Sequence, residues 1–136
     1  MKKKLYFIFS ILFTTIFAIL FHMLLPADAN SSNANSFLVK QFGFPLVATF
    51  YFLVLFCHCS ITIYYLGLKS KLSKRDIFLR FGIGYGLIYF IGMFEIIPGY
   101  EWSISVGINQ IGVGLGDAIP ALLVAFLISR LLPQES

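Results

Sequence analysis

Charge is what this chain has least of: Asp, Glu, Lys and Arg together make up 12% of its 136 residues, against roughly 25% in a soluble globular domain. So few charges cannot cover a surface that faces water on all sides, which excludes a freely soluble protein. Cysteine occurs only twice, too few for a disulfide framework. Histidine also occurs twice, and no Ser-His-Asp order, metal-ligand cluster or phosphate-binding glycine loop is present. No polar stretch is long enough to form a separate catalytic or nucleic-acid-binding domain. Enzymatic chemistry is therefore not expected, and no cofactor or metal is implied.

Apolar residues fill the space that the missing charges leave. They make up 59% of the chain, and the mean hydropathy is +0.89. They fall into four runs of about twenty residues, the number needed to cross ~30 Å of hydrocarbon at ~1.5 Å per residue. The runs cover residues 5–25, 45–66, 77–97 and 111–132. The expected fold is an all-α, polytopic membrane protein, a single domain of four transmembrane helices.

The formal net charge of +4 would suit an acidic partner if the basic residues were scattered. They are not. Nine of the ten, Lys2, Lys3, Lys4, Lys69, Lys71, Lys74, Arg75, Arg80 and Arg130, fall on one side of the four-span arrangement, and Lys40 alone falls on the other. Short loops rich in Lys and Arg stay cytoplasmic, so both termini are expected inside and the segments around Asn30 and Tyr100 outside. This asymmetry accounts for the basic pI without nucleic acid. A specific anionic-lipid or partner site at residues 69–75 is the alternative use of the same charges.

The N-terminal segment has two readings. Its basic start, apolar core and Ala27-Asp28-Ala29 match a secretory signal, but the apolar stretch is longer than the usual ~7–15 residues of such a signal. An uncleaved first helix is expected. Asn30-Ser31-Ser32 fits a glycosylation sequon and is read as chance.

Local signals place the helix ends. Pro26 closes the first helix, and Pro45 suits the first turn of the second. Ser73-Lys-Arg-Asp76 is a capping-box pattern for the third, and Pro98-Gly99 stops it. Tyr6, Tyr64, Tyr65, Tyr100 and Trp102 fall near span ends, where amphipathic rings favour the headgroup level. Gly82 with Gly86, and Gly112 with Gly116, are small-xxx-small pairs that permit close helix contact. Their antiparallel placement also resembles an inverted repeat. On the fourth helix Gly114, Asp117, Ala121 and Ala125 share a narrow face of small side chains carrying one carboxylate.

Ionisable side chains at membrane depth are the candidates for chemistry. Counted at ~1.5 Å per residue, Glu95 lies ~3 Å and Asp117 ~9 Å below the outer boundary. If the third and fourth helices are neighbours, the two carboxyls would share a proton or bind a cation. Pro120 adds polarity there, because it leaves the carbonyl of Gly116 without a donor. Two plainer roles compete: Glu95 reaching interfacial water, and Asp117 capping a helix that starts late after the glycine-rich residues 107–116. Those residues would also suit an unwound segment of the kind found in discontinuous transporter helices.

His22 at ~5 Å and His58 at ~18 Å from the outer boundary are too different in depth to clamp one haem iron. His58 is expected to be hydrogen-bonded within the bundle. Cys57 and Cys59 point roughly 200° apart on a helix, so they cannot pair or close on one zinc.

The function expected from these features is that of a small, multi-pass plasma-membrane protein of a bacterium. It would be a non-enzymatic accessory, assembly or immunity-type component acting through helix contacts, as a homo-oligomer or within a larger membrane complex. The alternative is a small oligomeric transporter or channel with a proton or cation site at Glu95 and Asp117.

Overall fold

The computed structural model describes residues 2–25, 37–92 and 104–133, and all its regular structure is helical. Helix α1, Lys2–Leu24, opens on three lysines and then runs apolar for six turns. A short helix α2, Phe37–Phe42, leads into α3, Phe44–Lys69. Between them Gly43 takes φ of 81°, a left-handed conformation that side chains disfavour, and Pro45 occupies the first turn of α3.

The next helix is continuous from Lys74 to Gly92. It comprises α4, Lys74–Ile77, a π-helical turn, Phe78–Gly82, and α5, Ile83–Gly92. Its start is set by Ser73, whose extended backbone lets Oγ accept from the N–H of Asp76 at 3.1 Å. The same hydroxyl donates to the Asp76 carboxylate at 2.6 Å. The Asp side chain thus closes on the capping hydroxyl rather than on the backbone N–H of the cap. Loss of this cap by Ser73→Ala should lower stability by about 1 kcal/mol, read by equilibrium unfolding, while Ser73→Thr should retain it.

Helix α6, Ile104–Ser129, runs without interruption through the glycine-rich residues and past Pro120. The fourth helix is therefore neither unwound over residues 107–116 nor late in starting. In an apolar surrounding the backbone must satisfy its own hydrogen bonds, which outweighs a glycine penalty of about 1 kcal/mol per residue.

Three helices, Lys2–Leu24, Phe44–Lys69 and Gly107–Ser129, are long and apolar enough to cross a membrane. At ~1.5 Å per residue the first spans about 35 Å. The chain is thus an all-helical protein of membrane type. Helix α6 is the central element, packed against α1, α3 and α5. Its share of buried residues exceeds that of the other two spans, 56% against 33%.

Close approach to α6 depends on small residues. A Cβ on Gly82 would lie 3.0 Å from the Cβ of Ala125, and one on Gly86 would lie 3.4 Å from Leu122. Ala121 and Ala125 are fully buried. On the other side of α6, Gly116 meets His22 of α1 and Gly112 meets Leu25, the residue just past the end of α1. One end of the bundle gathers the basic residues: Lys3 and Lys4 lie beside Tyr64 and Leu131, while Lys74 and Arg75 lie beside Arg130.

Candidate functional site

The site lies away from the basic end, between α1, α3 and α6. His22 sits in the last turn of α1, and Asp117 sits midway along α6, on the face of the small residues. Both are buried, with 5% and 2% of their surface exposed. His22 Nε2 lies 3.2 Å from Asp117 Oδ1. On its far side the ring bonds back to its own helix, with Nδ1 2.9 Å from the carbonyl oxygen of Ala18.

These two distances restrict the protons. A carbonyl only accepts, so Nδ1 carries a hydrogen and donates it to Ala18. Nε2 and Oδ1 then need one proton between them: either an imidazolium donates to a carboxylate, or a carboxylic acid donates to a neutral imidazole. In both states the pair is electrically neutral overall, which lowers the cost of burying it. Oδ1 makes no hydrogen bond to any other described group.

Aromatic rings and a glycine close the site. Phe52 of α3, only 3% exposed, tilts over the His22 ring with centroids 5.1 Å apart and stacks in turn on Phe56 at 5.7 Å. Phe21 meets the ring edge-on at 6.4 Å. Across the ring, a Cβ on Gly116 would lie 2.7 Å from His22 Cε1 and 3.0 Å from Nε2. Only glycine at this position leaves the imidazole in its slot. Tyr51 and Tyr89 are within electrostatic reach of Asp117 from α3 and α5, so the carboxyl's wider surroundings include phenols as well as rings.

Sequence reasoning identifies Asp117 as a buried carboxyl and misses its partner. Glu95 lies outside the described residues, as do residues 26–36 with the sequon and the Pro98-Gly99 stop. Asp117 is no helix cap, because α6 begins at Ile104. A signal for His22 did exist: its counted depth, ~5 Å against ~9 Å for Asp117, puts both at the same level of the bundle.

The remaining candidates are separate from this site. His58 is exposed, with its ring edge-on to Tyr85 at 6.0 Å, rather than hydrogen-bonded inside the bundle. Cys57 is half-buried, Cys59 is buried, and both are free thiols. Gly114 packs on Phe90, where an added Cβ would lie 2.9 Å from the ring. Among the described residues no three His, Cys, Asp or Glu side chains converge on a metal position.

No protein-family model matches the chain, and neither a curated protein nor a solved structure matches it. The His22–Asp117 geometry therefore carries the functional reading alone.

Proposed function

We propose that the chain is a four-span component of a bacterial plasma membrane, acting through helix contacts with other membrane proteins or with copies of itself rather than by chemistry of its own. The observation that carries this reading is the His22–Asp117 pair. Its two ionisable side chains are turned on each other and sealed by Phe52 and Gly116, an arrangement suited to fixing α1 against α6. The outward faces of α1 and α3 are apolar, with Leu5, Ile8, Leu12 and Ile16 exposed on the first and Phe50, Val54 and Ile61 on the second. Such faces suit lipid or a partner helix.

A third crossing between α3 and α6 is supported by the unbroken helix from Lys74 to Gly92. The basic cluster supports termini and residues 69–80 on the cytoplasmic side. Single cysteines at Ser31 and Ser73, probed with an impermeant thiol reagent on intact cells, test the topology. Ser31 should label and Ser73 should not, and the reverse pattern would invert the orientation.

The alternative, a transporter or channel with a proton or cation site that includes Asp117, is favoured by one feature: a buried carboxyl and imidazole 3.2 Å apart, a spacing that one proton would bridge. Purification in mild detergent followed by proteoliposome flux separates the two. Co-purification with a larger membrane complex, without flux, supports the accessory role. A homo-oligomer with a pH-driven flux that Asp117→Asn abolishes would replace it with transport.

A further inference from the structure

At the basic end, two adjoining grooves bring together cations from distant parts of the chain. One, of about 360 Å³, is lined by Lys74 and Arg75 from α4, Arg130 from the end of α6, and Phe78, Phe126 and Ser129. The other, of about 590 Å³, shares Lys74, Phe126 and Arg130 and adds Tyr6 and Leu131. Positive-inside topology needs basic residues on one side, but it does not need them to converge on one groove.

The floor beneath the charges is aromatic. Phe78 and Phe126 meet edge to face at 5.8 Å, and the Arg130 guanidinium lies 4.7 Å above the Phe126 ring. This cation–π contact holds Arg130 over the groove. Asp76, next in sequence to Lys74 and Arg75, is turned toward the Ser73 hydroxyl, which Oδ2 accepts at 2.6 Å. Ser129 donates to the carbonyl of Phe126 at 2.7 Å, leaving its oxygen free to accept but adding no charge. Among the described residues, no ion pair engages Lys74, Arg75 or Arg130.

We propose that this groove binds the headgroup phosphate of an anionic phospholipid of the inner leaflet, with Arg130 and Lys74 on the phosphate oxygens and an acyl chain against Phe126 and Leu131. Arginine forks match phosphate geometry, and basic pockets between membrane helices hold anionic headgroups. The combination of cations above and exposed aromatic surface below selects an amphiphile over a soluble anion. The proposal rests on the membrane-spanning placement but not on the accessory role, and a chain that failed to enter nanodiscs would count against the spans themselves.

The full chain in neutral detergent, titrated with phosphatidylglycerol or phosphatidylcholine and read by native mass spectrometry, tests the site. Phosphatidylglycerol should be retained and phosphatidylcholine should not. The double variant Lys74→Gln with Arg130→Gln should weaken phosphatidylglycerol binding about tenfold or more. Lys69→Gln with Lys71→Gln, an equal loss of charge, should weaken it about threefold at most. Arg130→Lys keeps the charge and removes the fork, and should give an intermediate loss even if the double variant fails to fold. Equal losses in the two double variants, or an Arg130→Lys protein that binds like the parent, would overturn the proposal. So would competition by glycerophosphoglycerol, the headgroup without chains, at concentrations similar to the lipid, which would identify a soluble phosphate as the ligand.

Discussion

His22→Ala should destabilise the bundle by about 3–5 kcal/mol, because removing one member of a buried pair leaves the other uncompensated in a low dielectric. The residue left behind is Asp117, 2% exposed and with no other described hydrogen-bond partner for Oδ1. Asp117→Ala should also destabilise, by about 1–3 kcal/mol, since it removes the carboxyl that lies 3.2 Å from Nε2 of a buried ring. Asp117→Asn should cost far less, about 1 kcal/mol, because its amide donates to the neutral imidazole in place of the shared proton. The double variant His22→Ala with Asp117→Ala should be less damaging than the sum of the single changes, by about 1–3 kcal/mol of coupling. Unfolding in mixed detergent micelles measures all four. Strict additivity would mean that the two side chains do not interact, despite their 3.2 Å separation.

That pair also marks the limit of what is legible in the primary structure. The helices are legible because twenty-residue apolar runs have few other uses, and Ser73 with Asp76 announces the start of α4 through a local hydrogen bond. Depth is legible too, since helical rise converts residue number into distance. Helix adjacency is not. Helices that are apolar nearly all round carry no polar stripe to show which face turns inward. Sequential neighbours are the default expectation, which pairs Asp117 with Glu95 on the preceding span. The fold lays α6 against α1 as well, and the carboxyl meets a histidine from the far end of the chain. The glycines divide in the same way: their spacing announces close packing, but only the fold shows that Gly82 and Gly86 serve α6 while Gly112 and Gly116 serve the end of α1.

Gly116→Ala should therefore do more than a single methyl group suggests. Its Cβ would sit 2.7 Å from His22 Cε1 and 3.0 Å from Nε2, closer than carbon atoms pack, so either the ring leaves its slot or α1 moves away from α6. The ring is already fixed on its other sides by the Ala18 carbonyl at 2.9 Å and by Phe52, which leaves it little freedom to yield. Overpacking of this kind costs about 1–3 kcal/mol, to which a weakened His22–Asp117 contact adds. Gly84→Ala provides the contrast, since nothing lies within 4 Å of a Cβ there, and the better helix former should stabilise by about 0.5–1 kcal/mol. In a His22→Ala background the ring is gone and only Phe21 Cδ1, 3.1 Å from the added Cβ, still has to give way, so Gly116→Ala should cost clearly less than in the parent. If Gly116→Ala is equally harmful with and without the His22 ring, its role is in making room for Phe21 of α1 rather than in seating the imidazole.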